Sequence, residues 1–193
     1  MLPAVVIILL TASYRVLSVY NTELANFSPL MALAFCGAIY LKPRGWWVVP
    51  FAALFVSDLW INHIYLAEYG YGYGSVQMAV RIGCFAAALG LGLLVAQRKS
   101  WLNLAAGTLG GALLFYLATN TASWAGDLAY AKTAAGWWQA MTVGHPEFPP
   151  TLYFFRNSLV SDLLFTGAFA LVMEGRALKA GQPSLLARAS IEA

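Results

Sequence analysis

The sequence predicts an all-α integral membrane protein: a six-transmembrane-helix bundle forming a single membrane domain over residues 1–193. Three observations carry that expectation. Hydrophobic residues fill 61% of the positions and charged residues only 10%, with a mean hydropathy of +0.69. The apolar residues come in continuous runs, not in the alternating pattern of a barrel strand. The charged connections between the runs alternate in sign. An open sheet is excluded in lipid because its edge groups would stay unpaired.

A helical span needs roughly 20 apolar residues to cross ~30 Å of hydrocarbon. Spans are expected near 3–20, 28–41, 46–63, 75–96, 101–124 and 156–174. The first lacks a basic leading segment and is interrupted by Arg15, so it reads as a helix and not as a signal peptide. The second is short for a full crossing. The fourth and fifth are rich in Gly and Ala, including Gly90, Gly92, Gly107, Gly110 and Gly111. Ala34 and Ala38 share a face of the second, beside Gly37. Small-residue faces let helices approach closely, either inside the bundle or against a partner membrane protein.

The connections set the orientation. Lys42 and Arg44 share one loop, Arg98 and Lys99 another, and Arg176, Lys179 and Arg188 lie in the tail. Connections 21–27, 64–74 and 125–155 hold Glu23, Glu68, Asp127 and Glu147 with a single Lys132. Positive residues stay inside, which predicts cytoplasmic termini and puts these three connections outside. A net charge of +3 gives no reason to expect nucleic acid as a partner.

Two outer connections have a texture of their own. Residues 65–74 alternate Tyr and Gly, placing Tyr69, Tyr71 and Tyr73 on a backbone that glycine makes mobile. Their rings suit either the membrane interface or a lid over a planar ligand. The 125–155 connection contains Trp137 and Trp138 on a candidate interfacial helix, followed by Pro146, Pro149 and Pro150. Here too an interfacial anchor and a lid are both open readings.

Arg15, Asp58, Arg81 and Asp162 fall within or near the hydrocarbon. An unpaired charge there costs ~2.5–3.5 kcal/mol on insertion scales. Two acids and two bases invite pairing, with Asn26 and Asn157 as further donors. Cys84 lies ~14 Å along the fourth helix from its outer start, at ~1.5 Å per residue. That depth suits the base of an outward-opening cavity, one turn below Arg81. A thiolate there would be a metal ligand and a nucleophile, although buried cysteines commonly serve as small hydrophobes. Cys36 fits that packing role at the opposite depth. His63 and His145 belong to the outer edges, and no spacing of His, Cys, Asp and Glu forms a protein metal site. No phosphate-binding loop or hydrolase nucleophile motif is present.

Several blocks resemble a family of small bacterial transport proteins. They are Asn26-Phe27-Ser28-Pro29 leading into 32–38, Pro50 with Ser57-Asp58, Thr133 to Trp137, and Phe154-Phe155-Arg156-Asn157 with Asp162 to Thr166. Arg81-Ile82-Gly83-Cys84-Phe85 resembles the BtuM-type vitamin B12 uptake proteins, which are similar to the S-components of energy-coupling factor (ECF) transporters. The resemblance implies a six-helix S-component-like fold in the bacterial cytoplasmic (inner) membrane. It implies cobalamin as transported ligand, with Cys84 on the cobalt. It also implies a site built from Cys84, Arg81, Tyr69, Tyr71, Tyr73, Trp137, Trp138, Asn26 and Phe27. Thiolate binding at cobalt would help displace cyanide from cyanocobalamin, so Cys84-assisted decyanation is a second expectation. The energy source would be an ECF-type ATPase module, or the protein would act alone. Three alternatives stay open: uptake of another small vitamin or metabolite, an intramembrane thiol enzyme using Cys36 and Cys84, and a scaffold without ligand.

Overall fold

The computed structural model describes residues 2–21, 24, 26–146 and 148–189. Glu23 and Glu147, two of the outer acids, lie outside the described residues. Among the described residues the chain is helical and has no strand. The main helices are α1 (Leu2–Ser18), α2 (Leu30–Tyr40), α3 (Val48–Ile64), α4 (Ser75–Gln97), α5 (Trp101–Gly126), α6 (Ala134–Met141), α7 (Thr151–Lys179) and α8 (Leu185–Ala189). Four segments are long and apolar enough to cross a membrane: Gly45–Glu68, Ser75–Gln97, Trp101–Gly126 and Thr151–Lys179. The apolar parts of α1 and α2 are shorter.

Local chemistry explains the boundaries. Ser100 Oγ accepts from Asn103 N at 3.0 Å and starts α5. Thr133 Oγ1 accepts from Gly136 N at 3.2 Å and starts α6. Pro150 stands at the entry of α7, which begins at Thr151 and not near 156. Arg156 and Asn157 therefore belong to the second turn of this helix. The third helix continues into a π-helical turn, Tyr65–Tyr69, closed by Gly70 at a φ of +71°.

α2 sits at the centre. Met31 to Cys36, Ala38 and Ile39 are each no more than 5% exposed. The helix packs chiefly on α4, then on α7, α5 and α3. Its 11 residues span only ~16 Å at ~1.5 Å per residue. Burial of Met31 through Cys36 against these neighbours keeps the body of this short helix away from lipid. The small residues act in packing. A Cβ on Gly92 would strike the Phe35 carbonyl oxygen and stand 2.8 Å from Ala38 Cβ. One on Gly107 would stand 2.6 Å from the Phe35 ring. Gly83, Gly90 and Gly110 have no such neighbour. The outer surface carries large apolar side chains such as Leu10, Leu17, Val56, Leu94 and Leu102, as a lipid-facing bundle requires.

Candidate functional site: a polar cavity above a buried ion triad

The Asn26-Phe27-Ser28-Pro29 block is the turn into α2. Asn26 takes a left-handed φ of +58°, a conformation Asn tolerates better than most residues. Ser28 Oγ accepts from Arg15 Nε at 2.8 Å. Arg15 also donates to Ser57 and to Asp58. Arg81 donates to the same carboxylate, from Nε to Oδ2 at 2.8 Å and from Nη2 to Oδ1 at 2.9 Å. Arg15 and Asp58 are each 2% exposed and Arg81 9%. Two guanidiniums thus share one acid, tying α1, α3 and α4 together. The expected pairing of Asp58 holds. Asp162 differs: its Oδ1 accepts from Ala32 N at 2.9 Å, in the first turn of α2. There the positive end of a helix offsets its charge.

Above the triad lies a cavity of about 250 Å³. Arg81, Met31 and Phe115 contribute to its deep part. Its walls come from α5 through Thr119, Asn120 and Ser123, and from α7 through Phe154, Phe155, Ser158 and Asp162. The mouth is formed by Tyr73, Tyr130, His145 and Phe148. It therefore opens at the end of the bundle carrying the 65–74 and 127–150 connections. The loops with Lys42, Arg98 and Lys99 are at the other end.

The Tyr/Gly connection is pinned, not loose. Tyr73 N donates to Asn62 Oδ1 at 2.5 Å. A Cβ on Gly72 would collide with Asn62 and Leu66 on the preceding helix and turn. Tyr65 stacks on Tyr71 at 5.5 Å, and Tyr71 meets the Phe148 ring edge-on at 5.8 Å. The loop reaches the mouth through that contact. The guanidinium of Arg81 lies 4.7 Å from the Tyr73 ring centroid and 5.3 Å from that of Phe115.

The structure gathers only some of the anticipated site residues. Arg81, Tyr73 and Asn26 line the cavity, and Tyr71 braces its rim. Phe27 instead packs edge-on against Tyr14 at 6.4 Å. The Tyr69 side chain lies outside the described residues. Trp137 and Trp138 do not cover the mouth. Trp137 donates to Thr121 Oγ1 at 3.0 Å, which fastens α6 against α5, and Trp138 is 63% exposed. Tyr116 Oη donates to the Met141 carbonyl and holds the same contact. Cys84 is 4% exposed within the apolar core and does not line the cavity. Met31 belongs to the same core cluster as Cys84, Phe115 packs against that cluster, and both of these line the cavity. Cys36 is equally enclosed, and neither cysteine is in a disulfide. No group of three or more His, Cys, Asp and Glu able to hold a metal occurs among the described residues.

Sequence reasoning missed Thr119, Asn120, Ser123, Thr151 and Ser158. Their signal was a polar stripe at helical spacing, 119/120/123 on α5 and 151/158/162 on α7.

The profile of a family of unknown function, DUF6580, matches residues 1–183. The chain belongs to that family. No curated protein and no solved structure matches it.

Proposed function

We propose that the protein is an uptake protein of the bacterial cytoplasmic membrane, and that the cavity above the Arg15–Asp58–Arg81 triad receives a small metabolite from outside. The observation that carries this reading is the position of the cavity. It is polar and aromatic inside an otherwise apolar bundle, and it opens at the end opposite the basic loops. Polar groups are costly at membrane depth and collect where a substrate passes. The positive-inside rule makes the cavity end extracytoplasmic and both termini cytoplasmic. In this reading α1 to α5 and α7 form a six-helix, S-component-like body, with α2 shielded at its centre. Release inward requires the bundle to rock, driven by an ATPase module or by the substrate gradient.

The size favours a compact ligand. Drug-sized ligands occupy pockets of roughly 300–1,000 Å³, and this cavity is about 250 Å³. Cobalamin, with Cys84 on cobalt, is the second reading. It is favoured by one observation: the apolar cluster holding Cys84 also holds Met31, which lines the cavity. Displacing Met31 and Phe115 would bring the sulfur to the cavity. Cysteine-assisted decyanation rests on that same opening.

Extraction of the purified protein, followed by mass spectrometry, tests both. A small metabolite retained by the native chain and lost in Ser158→Trp supports the cavity. A red protein with a corrin spectrum, colourless in Cys84→Ala, supports cobalamin. Recovery of the same compounds from native protein and Ser158→Trp would sink the cavity reading.

A further inference from the structure

Two arginines and two aspartates gather at the base of the cavity, and their hydrogen bonds leave one guanidinium nitrogen without an acceptor among the described residues. Arg15 and Arg81 are both buried and share the single carboxylate of Asp58. All three guanidinium nitrogens of Arg15 are engaged, by Ser28, Ser57 and Asp58. Arg81 spends Nε and Nη2 on Asp58. Its Nη1 has no partner among the described residues, and Arg81 is the cation that lines the cavity. The rings of Tyr73 and Phe115 flank the guanidinium and restrict its rotation. Asp162, the acid in the cavity wall, is turned to the amide of Ala32 at the positive end of α2. It reaches Arg15 only through space and gives Arg81 Nη1 no acceptor. An unfilled guanidinium donor at membrane depth is unfavourable until an acceptor meets it, and an anionic acceptor gives the strongest bond.

We propose that the ligand is a small organic anion, a single-ring carboxylate, whose carboxylate accepts from Arg81 Nη1 while its ring lies among Phe115, Phe154 and Phe155. This inference rests on the cavity being the substrate site. The aromatic wall supplies the apolar contact, and Asn120 and Ser158 supply hydrogen bonds for ring substituents. Nη1 keeps its N–H donors in the fixed plane of the guanidinium, and a carboxylate accepts from such a charged donor more strongly than a neutral amide does.

The test uses the full chain purified in detergent and three probes of one shape: benzoate, benzamide and benzylamine. Binding is read by calorimetry and by thermal stabilisation. Benzoate is expected to bind about 10- to 100-fold tighter than benzamide, the range a charge-assisted hydrogen bond gives. Arg81→Lys keeps a cation for Asp58 but removes Nη1, and benzoate affinity should fall by about tenfold or more. Ser158→Trp, which fills the cavity without touching the triad, should abolish binding. Equal or tighter binding of benzamide or benzylamine, lost in Ser158→Trp, overturns the anion and leaves the cavity standing. Benzoate binding that survives Ser158→Trp overturns the cavity itself. If none of the three binds, the anion inference is overturned, and the extracted metabolite decides the cavity separately.

Discussion

Arg81 grips both oxygens of Asp58, at 2.8 and 2.9 Å, across the contact between α4 and α3. Because Arg15 donates to the same acid, one carboxylate organises three helices. Removing one partner from a buried ion cluster leaves an uncompensated charge, which costs about 3–5 kcal/mol. Asp58→Asn should therefore destabilise the protein by about that amount, read as a lowered thermal midpoint in detergent. Arg15→Met paired with Asp58→Asn should recover part of the loss, since one cation leaves with the acid. Strict additivity of the two changes would show that they do not interact.

The closest approach of α2 and α4 depends on Gly92. Its missing Cβ makes room for the Phe35 carbonyl and Ala38. Gly92→Leu forces a new side chain against the Phe35 backbone and should cost about 1–3 kcal/mol, as overpacked cores do. Gly90→Leu, two residues away with nothing nearby, should change stability little. Comparing the two thermal midpoints checks the claim. Equal effects would contradict the packing described.

Glu174 is fully buried at the other end of the molecule. Its Oε1 forms an ion pair with Lys99 Nζ at 2.5 Å, and its Oε2 accepts from Leu185 N at 2.8 Å. Ser184 Oγ donates to its carbonyl at 2.9 Å. These bonds seat Leu185 in the core and hold α8 beneath the bundle. Glu174→Ala should release the tail and speed tryptic cleavage after Lys179 several-fold. Cleavage at the native rate would mean that Leu185 packing alone retains the tail.

Both thiols are enclosed, Cys36 at 1% exposure and Cys84 at 4%. Neither should react with a membrane-permeant maleimide until the protein is unfolded. Selective labelling of Cys84 in the folded state would reveal an opening of the core that encloses it. Cobalamin binding requires that opening, so this measurement bears directly on the corrin reading.

Charge was the most legible signal for the site. Arg15, Asp58 and Arg81 stand out in an apolar sequence because lipid penalises them, and the structure joins them. Asn120 and Ser158 did not stand out. Asn120 Nδ2 donates to the Tyr116 carbonyl at 2.8 Å and Ser158 Oγ to Phe155 at 3.0 Å. Side chains satisfied by their own helix add little polarity to a hydropathy profile. Helix limits followed the same logic. The fourth and fifth spans were readable to within about two residues, because apolar runs and polar loops coincide there. The start of α7 was not, because Arg156 and Asn157 sit inside the helix and break the apolar run. The π-helical turn at Tyr65–Tyr69 has no hydropathy signature at all. Sequence alone left Trp137 and Trp138 open between an anchor and a lid, because an indole suits a lid, an interface and a helix contact equally.

α7 runs unbroken for 29 residues. It carries Ser158 and Asp162 at the cavity and Glu174 beside the tail. Asp162 and Glu174 are ~18 Å apart along one axis at ~1.5 Å per residue. No hinge residue is needed to link them, since a stiff rod tilted at its upper end must swing at its lower end. A guest that shifts α7 would thereby tug on the Lys99 anchor at the opposite end of the bundle, making occupancy of the cavity mechanically audible among the basic loops.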